Sequence, residues 1–139
     1  MNADDIKKQI IEEFSLFDDW MDRYDYLIEE GKKTGDLDIR YKASEFLIKG
    51  CQSQVWLIAE KQGDNIIFRG DSDAIITRGM ISLLIRVYSG QPIDVVINAD
   101  IAFLDEIGLK EQLSPTRSNG LHSMVEQMRT YACIFKNSK

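Results

Sequence analysis

Lys49-Gly50-Cys51-Gln52-Ser53-Gln54-Val55-Trp56-Leu57 stands where the chain passes from helical to strand-like patterning. Cys51, one of two cysteines, follows a glycine and precedes polar residues, and an apolar run begins at Val55. Gly50 has access to backbone angles closed to other residues, so a sharp tip fits before the strand. Loop tips carried on a rigid scaffold are frequent places for chemistry. Local composition alone favours a plainer role, because a free Cys packs readily as a small buried apolar side chain.

Downstream of this stretch, Val55 to Glu60 is β-rich, Gln62-Gly63-Asp64-Asn65 is a strong turn signal, and Ile66-Ile67-Phe68 follows. This pattern predicts an antiparallel hairpin, with Phe46-Leu47-Ile48 as a brief strand entering Cys51. Gly70-Asp71-Ser72-Asp73 offers helix caps before an apolar helix from Ala74 to Tyr88. Gly79 within that helix marks the close approach of another element, and Gly90 and Pro92 end it. Gln91 to Ala99 reads as strand or extended loop. Ile101 to Gln112 reads as short helical turns broken at Gly108. Ser114 to Gly120 is a capping and turn cluster, and Leu121, Met124, Val125, Met128, Ala132 and Phe135 form the stripe of a last helix.

Upstream, Ile6, Ile10, Phe14 and Phe17 lie on one helical face, and Trp20, Tyr24, Leu27 and Ile28 on another. They predict a helical hairpin, its second helix capped by Asp18 or Asp19 and ended by Gly31, followed by a loop from Lys32 to Glu45. The whole pattern predicts an α+β fold, a small antiparallel sheet of about three strands with flanking helices. At 139 residues, the chain suits one domain, 1–139, with a real core.

The net charge of −6 argues against nucleic acid and anionic membranes as main partners. No apolar run approaches the roughly 20 residues that span a bilayer, and the acidic start lacks the pattern of a signal peptide, so a cytoplasmic location is expected. Two distant cysteines and one histidine, His122, make a zinc or iron–sulfur site built by this chain alone unexpected. Asp71 and Asp73 form a possible carboxylate pair, but helix capping is the simpler reading. Ser114 and Ser118 lack an obvious base, and His122 beside the last apolar stripe suits a surface position. Glu12-Glu13 and Glu29-Glu30 read as solvated helix faces.

Three separated runs carry a resemblance that covers nearly the whole chain. Gly50 to Leu57, then Gly70-Asp71-Ser72-Asp73-Ala74 with Gly79, then Leu113-Ser114-Pro115-Thr116-Arg117-Ser118-Asn119-Gly120-Leu121 resemble, in order and separation, the signature of the SufE sulfur-acceptor family. One departure is the apolar lead-in Phe46-Leu47-Ile48-Lys49, where the family is commonly more polar. The resemblance implies an α+β fold that is also similar to the IscU scaffold.

It further implies a sulfur carrier and desulfurase activator rather than a stand-alone enzyme. Cys51 would accept persulfide sulfur from a SufS-type cysteine desulfurase, or its CsdA-type paralogue, and pass it to a SufBCD-type scaffold for iron–sulfur cluster assembly. The pyridoxal phosphate would belong to the partner, leaving this chain without a cofactor or metal of its own. Gly50, Gln52 and Ser53 around the thiol, Asp73 near the base of the region, and Arg117 near the tip or interface would serve partner binding.

Alternatives are an iron–sulfur scaffold of IscU-like fold, which wants more ligands, and a redox-active thiol protein, which wants Cys133 as resolving cysteine. A pure regulator that only loosens its partner's active site is a further alternative. Lys49, two residues from Cys51, favours the thiolate. The apolar flanks, Phe46 to Ile48 and Val55 to Leu57, disfavour it and predict a tip tucked against the core with Gly50 as pivot.

Overall fold

The computed structural model describes residues 2–33, 37–51, 53–108 and 115–137, without the side chains of 115–117. Helices α1 (Ala3–Ser15) and α2 (Trp20–Lys33) form the predicted hairpin. Asn2 and Asp5 close a capping box on α1, and Asp19 caps α2 by accepting from the Asp22 N–H at 2.9 Å. Two short 3₁₀ turns, Ile39–Tyr41 and Ser44–Phe46, follow. Then come β1 (Val55–Gln62), β2 (Asn65–Ser72), α3 (Ile75–Tyr88), β3 (Gln91–Pro92), α4 (Ile93–Ile97), α5 (Ala102–Glu106) and α6 (Pro115–Asn137).

The fold is α+β, as predicted. Among the described residues the sheet is three-stranded and antiparallel in the order β1-β2-β3, with Val55 opposite Ser72 and Gln62 opposite Asn65. Helix α3 packs on β2 and α6 on β1, where Tyr131 of α6 donates to the Leu57 carbonyl at 3.0 Å. Val55, Leu57, Ile66, Met80, Ile81, Leu83, Leu84 and Met128 are core residues from strands and helices alike. No helix among the described residues is long and apolar enough to cross a membrane.

Four expectations need correction. Gly31 does not end α2, which runs on to Lys33. Gly31 instead faces Gly79, where a Cβ at Gly31 would stand 2.9 Å from the Gly79 nitrogen and one at Gly79 would overlap the Leu27 carbonyl. Gln91 to Ala99 is neither a long strand nor a loop, since only Gln91 and Pro92 pair and residues from Ile93 turn helical. Phe46-Leu47-Ile48 shrinks to one bridge, Leu47 to Trp56, with the Ile48 N–H donating to Val55 at 2.8 Å. In the cluster from Ser114 to Gly120, Ser114 lies outside the described residues and α6 already starts at Pro115, so Gly120 is helical.

The acidic helix pairs also divide differently. Glu12 and Glu29 are solvated, but Glu30 is buried and Glu13 bonds to Arg86 and Tyr26. Arg86 of α3 supplies the counter-charge to both carboxylates, a pairing hidden from sequence by the separation of the elements.

The glycine contact between α2 and α3 generates a stability prediction. Ala is favoured over Gly in a helix by about 1 kcal/mol, yet overpacking against unyielding backbone costs about 1–3 kcal/mol. Gly79→Ala is therefore expected to lower stability by about 1–2 kcal/mol in urea unfolding. An unchanged or raised midpoint would contradict this close approach.

Candidate functional site

The Cys51 thiol sits at the tip of a loop from Lys49 to Gln54 whose two feet are pinned separately. At one foot the Ile48 N–H pairs with Val55, next to the Leu47–Trp56 bridge. At the other, Gln54 is held from three directions. Its N–H donates to the Asp73 carboxylate at 3.0 Å, and its carbonyl accepts from the Asp73 N–H at 3.2 Å and the Ser72 hydroxyl at 2.8 Å.

This geometry overturns the helix-capping reading of Asp71 and Asp73. The residue at the cap of α3 is Ala74, with no side-chain cap bond, and residues 70–72 belong to β2. Asp73 is exposed and spends its carboxylate on the loop foot. Asp71 is buried and pairs with Lys42 at 3.3 Å and Arg78 at 3.1 Å, and it accepts from the Leu37 N–H at 3.2 Å. A carboxylate removed from water needs such counter-charges and donors. Asp71 thereby holds the segment that leads into Leu47 and the tip. Lys42 also lies over the Trp56 ring, 5.7 Å from its centroid.

The tip rests on α6. Cys51 is half-buried, and its Sγ–H donates to the Gly120 carbonyl at an Sγ–O distance of 3.6 Å. A Cβ at Gly120 would stand 3.7 Å from Sγ. One helical turn on, Ser123 lies against Gly50, where an added Cβ would overlap its hydroxyl. Gly50 has φ +90°, a backbone region that favours glycine, so the sharp tip read from sequence is present. Burial pushes the Cys51 thiol up from its ordinary value. Lys49 is exposed, whereas Cys51 is packed against the core as its apolar flanks predict.

Ser53, two residues after Cys51, is half-buried. Gln52 lies outside the described residues. Arg117 falls in the first turn of α6, with its side chain also outside the described residues. His122 is exposed, as expected. A groove of about 670 Å³ opens beside the tip between Glu45, Leu47 and Lys49 on one side and His122, Ser123 and Glu126 on the other. Cys133 is exposed on α6, thirteen residues beyond Gly120. At about 1.5 Å per residue this puts the two thiols roughly 20 Å apart along the helix, far beyond the ~4–7 Å Cα separation of a disulfide.

The model of the SufE family, described as an Fe-S metabolism associated domain, matches residues 8–132. The chain belongs to the SufE family. A protein of Rhizobium etli described as an uncharacterized SufE-like protein is 43% identical over 131 residues, covering 91% of this chain and 88% of the relative. A second uncharacterized SufE-like protein, from Rhizobium meliloti, is 38% identical over 129 residues, covering 89% and 92%. The solution structure of a hypothetical protein from Thermus thermophilus shares the fold, with a TM-score of 0.79 at 19% identity, covering 96% of this chain and 97% of that one. Membership of the SufE family connects this chain with iron–sulfur metabolism and sulfur transfer.

Sequence reasoning singled out Cys51, Gly50 and Asp73, which the fold places on or against one loop, but not the contacts of Gly120, Ser123 and Asp71 with that loop and the segment before it. Gly120 carried a signal, a glycine that continues into a helix, which is costly unless something approaches it.

The raised thiol gives a pH prediction. Only the thiolate is nucleophilic, and burial favours the protonated form, so the alkylation rate of Cys51 should climb with pH to a midpoint above about 8.5, the value of a free cysteine. The check is iodoacetamide labelling of the Cys133→Ser variant across pH. A midpoint at or below the free-cysteine value would contradict the sheltered thiol.

Proposed function

We propose that this protein is a persulfide relay, accepting sulfur on Cys51 from a cysteine desulfurase and handing it to a scaffold on which iron–sulfur clusters are assembled. The observation that carries this reading is the SufE-family loop itself, with a half-buried thiol at a glycine tip that is firmly held at both feet and lightly docked at its apex. Such a tip is narrow enough to enter a partner's cleft, and its exposed flank at Lys49 and Gly50 leads there.

The chemistry is thiol exchange. The Cys51 thiolate attacks the outer sulfur of the donor persulfide, and an S–S bond forms to Cys51 Sγ. The donor's S–S bond breaks, and the donor sulfur leaves as a thiol after taking up a proton. Burial keeps the resting thiol protonated and protects it from oxidation, so nucleophilicity rises when the partner draws the tip outward.

The donor in this reading is a SufS-type enzyme or its CsdA-type paralogue, with its own pyridoxal phosphate, and the receiver is a SufBCD-type scaffold. All 139 residues act as one domain in the cytoplasm, without nucleic acid or membrane as partner. Gly50, Gln52, Ser53, Asp73 and Arg117 flank or support the contact with the desulfurase. A cluster-scaffold role would need a ligand set, and no group of three His, Cys, Asp or Glu side chains among the described residues is arranged to hold a metal ion. A resolving-thiol role would need Cys133 near the tip.

Steady-state turnover of a SufS-type desulfurase with cysteine tests the relay. The native protein and Cys133→Ser should stimulate sulfide or alanine release equally, whereas Cys51→Ser, though folded, should not. Stimulation retained by Cys51→Ser would make the protein a regulator of its partner instead of a carrier.

A further inference from the structure

The contact between Cys51 and α6 distinguishes the empty carrier from the loaded one. We propose that the Gly120 carbonyl is a positioning group selective for the unloaded state, docking the Cys51 thiol on α6 and rejecting the persulfide, so that loading itself releases the tip. This rests on the relay reading.

A carbonyl oxygen only accepts hydrogen bonds, and a thiol has one S–H to give. In the resting protein that hydrogen points to Gly120, 3.6 Å from Sγ to oxygen. After transfer, Sγ is bonded to the incoming sulfur and carries no hydrogen. Persulfides are stronger acids than thiols, so the outer sulfur is an anion near neutral pH. The donor of the tip contact has become an acceptor with a negative charge beside it, facing an oxygen lone pair.

The surroundings push the same way. A half-buried position against the core disfavours any anion. Asp73 at the loop foot and Glu126 on the groove beside the tip are both acidic. The cationic Lys49 is exposed on the tip itself. Gly50, next to the thiol at φ +90°, gives the tip its pivot, while the Asp73–Gln54 bonds keep the foot in place.

Size does not decide the outcome. The missing side chain at Gly120 leaves a methyl-sized space by Sγ, since an added Cβ would sit at an ordinary 3.7 Å. Charge, not bulk, turns the outer sulfur away.

The test is hydrogen exchange of the peptide spanning residues 48–54 in the full chain, read by mass spectrometry. Cys51→Ser, whose hydroxyl donates as the thiol does, should keep the protection of the native protein. Cys51→Asp, an anion without a donor, should lose roughly tenfold, the scale of one broken and unfavourably replaced hydrogen bond. Native protein loaded with sulfur by a desulfurase and cysteine should show the same loss, reversed by dithiothreitol. Equal protection in the thiol, Asp and persulfide forms would overturn the proposal and put the outer sulfur in the Gly120 space. If Cys51→Asp fails to fold, the loaded protein alone decides. If no sulfur is taken up, the relay reading falls, and the Ser and Asp variants still decide whether docking depends on charge.

Discussion

The pairing of Gln54 with Ser72 and Asp73 is the constraint on which the site depends. It fixes in one place the start of β1, the end of β2, the entry to α3 and the trailing foot of the cysteine loop. Because these bonds run through backbone groups of Gln54, they hold the foot whatever side chain the loop carries. The leading foot is fixed through Leu47 and Ile48 on β1, and the segment before it is tied down by the buried Asp71. The run Gly70-Asp71-Ser72-Asp73 thus serves both ends of the loop. Among the described residues of the loop, Lys49, Gly50, Cys51 and Ser53 are without strand pairing, and that is where the thiol sits.

The site balances two demands on sulfur. In the relay proposed for this protein, the thiol has to react with a persulfide, which requires the thiolate, and it has to survive in between, which favours burial and protonation. Here burial dominates in the free protein and raises the thiol. The opposing contact is slight, since an S–H is a weak donor and Gly120 offers no side chain to grip it. A docking this light is within reach of the binding free energy that a partner surface supplies, so the resting state shelters without locking.

Much of the fold was legible because its signals are local. The hairpin turn at Gly63-Asp64, the apolar circumference of α3 and the stripe of α6 each declare their element within a few residues. Gly79 declared a close neighbour, though not that the neighbour would be Gly31. The cysteine tip was legible from Gly50, and family resemblance raised Cys51 above the buried-thiol reading that composition favours. Several failures share a physical cause, in that each depends on a partner carried by another element. Asp71 looks like a cap until Lys42 and Arg78 are placed beside it, and Glu30 looks solvated until Arg86 arrives from α3. Ile93 to Ile97 has β-branched residues that suit a strand, but its packing against α6 overrides that preference.

The central claim is that sulfur travels on Cys51. Peptide mapping by mass spectrometry, after incubation of the native protein with a catalytic amount of a SufS-type desulfurase and cysteine, tests it most directly. The account predicts a gain of one sulfur atom on the peptide that contains Cys51, lost on treatment with a thiol reductant, and none on the peptide that contains Cys133. Sulfur on the Cys133 peptide alone, or an unmodified Cys51 peptide while the desulfurase turns over, would contradict it.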